Sequence, residues 1–127
     1  MAHNPGFERL VEQVRSRVRE CSVSDVKARH DSGESFYLID VREDHEVATG
    51  RAKGAMHLGR GILERDIESQ IPNKEAEIVL YCGGGYRSVL AAVNLMEMGY
   101  LRVSSMIGGI KAWRQEGFPI EPGPGSK

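Results

Sequence analysis

One cysteine in this chain is set among residues that would make its sulfur a nucleophile. Cys82 follows the apolar, β-rich run Ile78-Val79-Leu80-Tyr81 and precedes Val89-Leu90-Ala91-Ala92-Val93-Asn94-Leu95-Met96, a run of good helix formers. A short apolar run of the first kind reads as a strand buried on both faces. The strand–loop–helix order then puts the thiol at the strand's carboxyl end, where N–H groups of the loop and of the helix's first turn point inward. A free cysteine thiol titrates near ~8.5, and a helix N-terminus or a neighbouring cation lowers that value. Gly83, Gly84 and Gly85 have no Cβ, so the backbone between the runs can curl into a nest of donors around an anion. Arg87 adds a fixed positive charge at the helix start, and Ser88 follows it. A buried structural cysteine beside a tight turn is the plainer reading. Such a turn does not need three consecutive glycines followed by Tyr86-Arg87-Ser88.

The pattern Cys-x-x-Gly-x-Arg-Ser after an apolar strand resembles the active loop of the rhodanese (sulfurtransferase) domains. Three further segments carry the resemblance in the family's order. Leu38-Ile39-Asp40-Val41-Arg42 is similar to its early Leu-Ile-Asp-Val-Arg signature, and Gly50-Arg51-Ala52-Lys53-Gly54-Ala55 to its Gly-His-Ile-x-Gly-Ala segment, with Arg51 in place of histidine. Gly108-Gly109-Ile110-Lys111-Ala112-Trp113 with Gly117-Phe118-Pro119 resembles its closing Gly-Gly-x-x-x-Trp and Gly-x-Pro pattern. Gly83 departs from the basic residue that some thiosulfate-using members carry at that position. The resemblance implies a rhodanese-like three-layer α/β/α domain with a five-stranded parallel sheet, and Cys82 as the carrier of a sulfane sulfur.

Two reactions fit a thiolate in an anion-binding loop. In sulfur transfer, Cys82 takes a sulfane sulfur from a small donor such as thiosulfate, holds it as a persulfide, and passes it to a thiol or protein acceptor. The other is phosphate-ester hydrolysis or arsenate reduction on the Cys-x5-Arg loop of protein phosphatases. Here the spacing is Cys-x4-Arg, one residue shorter, and the smaller pocket suits a single terminal sulfur. In the sulfur-transfer reading, the N–H groups of Gly83, Gly84, Gly85, Tyr86 and Arg87 stabilise the sulfur anion. Arg87 lowers the thiol pKa or anchors the loop, and Ser88 is expected to cap the helix and donate to the sulfur. A persulfide carrier that turns over with one partner only, or a thiol-sensing module, is the non-enzymatic alternative. The chemistry calls for no cofactor.

The rest of the chain must position that loop. Asn4-Pro5 opens a helix with Phe7, Leu10, Val11, Val14 and Val18 at helical spacing. It precedes the rhodanese-like segment and either packs on the domain or offers a partner or homodimer surface. Residues 20–22 read as a first strand, with Cys21 entering the core as a small hydrophobe; the alternative is a resolving thiol for Cys82. Ser22 with Asp25 reads as a capping box for a helix ending near Gly33. A strand over 36–39 ends at Asp40, which with Arg42 is expected to act as structural support near the active end of the sheet. A short helix over 43–49, a strand over 55–58 and a helix leading to Pro72 follow. Arg60 is a candidate for the rim of the Cys82 pocket. His57 reads as a strand-end residue. A helix over 87–98, a strand within 100–106 and a last helix carrying Ile110 and Trp113 complete the alternation that implies a parallel sheet. The expected division is 1–20 helical extension, 21–120 rhodanese-like domain and 121–127 flexible tail.

At 127 residues, 40% hydrophobic and 28% charged, the chain suits one globular domain. A formal net charge of -1 gives no electrostatic case for nucleic acid or an anionic membrane. No apolar run approaches a membrane span, and no export signal is apparent, so the cytoplasm is the expected compartment. The four histidines lack metal-ligand spacing, and no metal site is expected.

Overall fold

The alternation of apolar runs resolves into strands and helices in the order the sequence suggests. The computed structural model describes residues 3–123. Helix α1 (Pro5–Arg15) leads to strand β1 (Arg19–Cys21), helix α2 (Val23–Asp31) and strand β2 (Tyr37–Asp40). A one-turn helix α3 (Asp44–Val47) and two short strands, β3 (Arg51–Ala52) and β4 (Met56–His57), follow. Helix α4 (Leu63–Gln70), strand β5 (Glu77–Tyr81), helix α5 (Arg87–Glu97), strand β6 (Arg102–Met106), helix α6 (Gly109–Gln115) and strand β7 (Ile120–Glu121) complete the chain.

Five strands form one parallel sheet in the order β1-β6-β5-β2-β4. The central strand β5 shows why both faces must be covered. Its side chains alternate, Ile78 and Leu80 packing with Val11, Leu63, Ile67, Val89 and Leu95 on one side. Val79 and Tyr81 pack with Val23, Val26, Ile110 and Trp113 on the other. Helices α1, α4 and α5 therefore lie on one face and α2 and α6 on the opposite one, the expected three-layer α/β/α arrangement. Because the strands are parallel, their carboxyl ends share one edge, and the loops after β2, β5 and β6 meet there.

Three details differ from the sequence reading: the end of α1, the burial of Cys21 and the place of Glu121. Helix α1 ends at Arg15, so Val18 is buried in the turn beyond it, while Leu10 is 50% exposed on the outer face. Cys21 is only half-buried. Strand β6 lies within the expected 100–106, and Tyr100 in the preceding loop bonds the Ile71 carbonyl through its hydroxyl at 2.6 Å. Glu121, expected in the tail, pairs with Arg51 across the antiparallel β3–β7 ladder, and its carboxylate accepts from Arg51 Nε at 3.3 Å. The remainder of the expected tail, 124–127, lies outside the described residues. Ser22 caps α2 as a capping box, its Oγ accepting from Asp25 N–H at 3.0 Å. Among the described residues no helix is long and apolar enough to cross a membrane.

Candidate active site

Cys82 is the first residue after β5, so the pairing of that strand with β2 and β6 fixes where its side chain leaves the sheet. The residue is 1% exposed, yet it borders a cavity of about 470 Å³. The sulfur sits in a ring of donors. Sγ accepts the N–H of Gly85 at 3.1 Å and that of Ser88 at 3.4 Å, with Ser88 Oγ at 3.5 Å. Ser88 Oγ also bonds Ser105 Oγ of β6 at 2.7 Å, which holds the hydroxyl beside the sulfur. Ser88 is the second residue of α5, where backbone N–H groups have no partner inside the helix. Of the N–H groups expected at the sulfur, Gly85 alone reaches Sγ, and Ser88 joins it. Tyr86 rather than Ser88 occupies the N-cap position.

The loop keeps this shape because its carbonyls are tied down elsewhere. Ile110 N–H donates to the Cys82 carbonyl at 2.9 Å and Lys111 N–H to the Gly83 carbonyl at 3.1 Å. The Gly108-Gly109 doublet permits that approach. Gly109 has φ +55°, and a Cβ there would lie 2.3 Å from the Cys82 carbonyl oxygen. Gly85 has φ +94°, and a Cβ on it would lie 2.9 Å from Gly108 N.

Arg87 does not aim at the sulfur. Its Nη1 and Nη2 donate to the two carboxylate oxygens of Glu46 at 2.8 and 2.9 Å. That fork clamps the start of α5 to α3. The hydrogen bonds from Arg87, helped by the backbone N–H of Glu43, hold the Glu46 carboxyl down at about 2. Glu46 is itself placed by a buried pair. Asp40, with no exposed surface, accepts from Arg42 Nη2 at 2.8 Å and Nε at 3.0 Å. Arg42 donates on to the carbonyls of Gly50 at 2.7 Å and Glu46 at 3.3 Å. The route Asp40–Arg42–Glu46–Arg87 thus links the end of β2 to the Cys82 loop. His57, at the end of β4, approaches the Arg42 carbonyl through Nε2 at 2.8 Å.

Arg60 is not among the residues that line the Cys82 cavity. Its Nη1 donates to Glu64 at 2.6 Å, and Asn94 donates to the same carboxylate oxygen at 2.6 Å. Cys21 and Cys82 pack on opposite faces of the sheet. Burial, with Asp25 nearby, pushes the Cys21 thiol up to about 11, so it is a protonated, weak nucleophile at neutral pH. Among the described residues no group of three or more His, Cys, Asp or Glu side chains gathers into a metal-binding cluster. The sequence reading did not place His3, Phe7, Glu43, His45 or Glu46 at the site, and all of them line the cavity. It also missed Ser105, which holds Ser88. The Gly108-Gly109 doublet was the one visible signal of close packing on the loop.

The Rhodanese-like domain family model matches residues 22–116. A sulfurtransferase from Allochromatium vinosum is 36% identical over 103 residues, covering 81% of this chain and 94% of that one. A Rhodopseudomonas palustris structure described as a possible tyrosine phosphatase superposes with TM-score 0.82 at 33% identity, over 95% of this chain and 98% of that one. The polysulfide-sulfur transferase homodimer of Wolinella succinogenes gives TM-score 0.78 at 26% identity, over 94% and 90% of the two chains.

Proposed function

The chain belongs to the Rhodanese-like domain family, and on that premise we propose that it is a sulfurtransferase carrying the moving sulfur as a persulfide on Cys82. The thiolate of Cys82 attacks the outer sulfur of a sulfane donor. A new S–S bond forms, the donor's own S–S bond breaks, and the donor remnant leaves with the electron pair. An acceptor thiolate then attacks the outer sulfur of the persulfide, releasing Cys82 as thiolate. Negative charge sits on sulfur at each stage, first on Sγ and then one atom further out. The observation that carries this reading is the convergence on Sγ of two donating backbone N–H groups, with the Ser88 hydroxyl beside them, already in place. Preorganised donors of this kind need no rearrangement as the charge moves. The loop N–H groups between Gly83 and Arg87 are suited to the outer sulfur. A reduced, cytoplasmic setting fits a mechanism that needs the free thiol.

Phosphate-ester hydrolysis is the competing reaction, and the loop geometry weighs against it. The loop is one residue short of Cys-x5-Arg, and both terminal nitrogens of Arg87 are engaged by Glu46 instead of being free for a phosphate. Paired kinetics with a sulfane-sulfur donor and with an aryl phosphate test the choice. The proposal expects turnover of the first and none of the second, and comparable turnover of the aryl phosphate would overturn it.

A further inference from the structure

The cavity over Cys82 is completed by residues outside the family's own segment. The family model begins at residue 22, yet His3 and Phe7 line the same cavity as Cys82, Tyr86 and Arg87. They are held there by α1, whose Val11 has no exposed surface and packs in the same core as the α5 side chains. Tyr86 of the active loop is gripped by the same segment. The Phe7 ring centroid is 5.8 Å from that of Tyr86, the His3 ring is 4.2 Å from it, and the Arg15 guanidinium lies 5.2 Å from its centroid. His3 and Phe7 meet edge-on at 5.1 Å. One wall of the cavity is therefore aromatic and is built by α1.

The remaining wall is poor in positive charge. It is lined by Glu43, His45 and Glu46 together with Arg87, whose guanidinium Glu46 already neutralises in a two-pronged pair. A dianion entering this cavity leaves water and finds the one guanidinium of the described lining residues already paired with Glu46. An apolar group entering it leaves water for a ring surface, which is favourable.

Resting on the sulfurtransferase reading, we propose that α1 is the donor-selecting wall of the site. The donor it selects is an organic sulfane compound with an apolar group and at most one negative charge, in preference to the thiosulfate dianion. For an organic thiosulfonate the step balances without any further reactant. The Cys82 thiolate bonds to the outer sulfur, the bond between that sulfur and the sulfonyl sulfur breaks, and a sulfinate leaves with the electron pair. Two negative charges stand on each side. Phe7 contacts the organic group, and Glu43 repels the second charge of thiosulfate.

The test measures kcat/KM for benzenethiosulfonate, methanethiosulfonate and thiosulfate on the full chain and on Phe7→Ala, Phe7→Leu and Glu43→Gln. Ratios between donors on one protein, compared across variants, cancel the donors' intrinsic reactivities. The wild-type ratio of benzene- to methanethiosulfonate should fall about 3–10-fold in Phe7→Ala, the worth of one aromatic contact. Phe7→Leu keeps apolar bulk in the seat of α1 but removes the ring, and should lower the same ratio in the same direction. Glu43→Gln should raise thiosulfate relative to methanethiosulfonate by about 3–10-fold, as expected for one extra negative charge near a partly screened carboxylate. Equal falls for all three donors in both Phe7 variants, or unchanged ratios in all variants, would overturn the inference while leaving sulfur transfer intact. Loading of sulfur from none of the three donors would overturn the sulfurtransferase reading itself, and this inference with it.

Discussion

Gly109→Ala should damage the active loop from a residue that never touches the sulfur. Two effects combine. At φ +55° an alanine occupies the left-handed region, at a cost of about 1–2 kcal/mol. Its Cβ would also lie 2.3 Å from the Cys82 carbonyl oxygen and 2.7 Å from that of Gly83, where real Cβ contacts under 3.0 Å essentially never occur. The loop and α6 must therefore separate by more than half an ångström, which weakens the Ile110 N–H bond to the Cys82 carbonyl, worth ~1 kcal/mol. The expected loss is about 2–3 kcal/mol, which leaves a domain of ordinary stability folded. Turnover should fall further than stability suggests. Displacing a reacting group by 1 Å costs roughly 10²-fold, and here the displaced residue carries the nucleophile. Gly33→Ala is the control, since Gly33 has φ +75° with nothing within 4 Å of the added Cβ. It should lose ~1 kcal/mol, a few degrees in melting temperature, with kcat/KM unchanged. Thermal melts and turnover with a sulfane donor read both variants. If Gly109→Ala matches Gly33→Ala in both, the close packing of α6 does not hold the loop.

Three further outcomes follow from the pairs around the site. The Glu46 carboxyl titrates at about 2 in the folded chain against an ordinary value of 4.5, so its stabilising contribution is complete above 4.5 and is lost as pH falls towards 2. Denaturant midpoints should show wild type above Glu46→Gln at pH 7, with the gap narrowing below pH 4.5; a gap that stays constant down to pH 2 would remove the pair as its cause. Ser88→Ala removes the hydroxyl beside the sulfur and strands the buried Ser105 hydroxyl, and should cost ~1–3 kcal/mol in chemical denaturation together with at least tenfold in kcat/KM. Asp40→Asn leaves the Arg42 guanidinium buried without its counter-ion and should cost about 3–5 kcal/mol, read by equilibrium unfolding.

The parallel sheet was legible because each buried strand is a short apolar run followed by a helix-forming one. Ile78 to Tyr81 and Val89 to Met96 show the pattern most plainly. Cys82 was legible from the glycines and the arginine that follow it within one turn of chain. The partners of those residues were not. Glu46 meets Arg87 across 41 positions, and the β3–β7 ladder joins Arg51 to Glu121 through two-residue strands that carry no apolar period. Such pairings are decided by how the layers stack, which local spacing does not encode. The same holds for Phe7. Its place in an amphipathic helix is readable, whereas its position over the active loop depends on where α1 docks on α5. Arg60 shows the converse, since a loop arginine after a strand end suggests the rim of a site, and the carboxylate one helical turn on, Glu64, holds it instead.

The most direct test of sulfur carriage on Cys82 is intact mass after brief incubation with a sulfane-sulfur donor and removal of the excess. The account predicts one added sulfur atom per chain, discharged by a reductant or an acceptor thiol, present in Cys21→Ser and absent from a folded Cys82→Ser. An unchanged mass in the wild type, or an added sulfur that persists in Cys82→Ser, would contradict it.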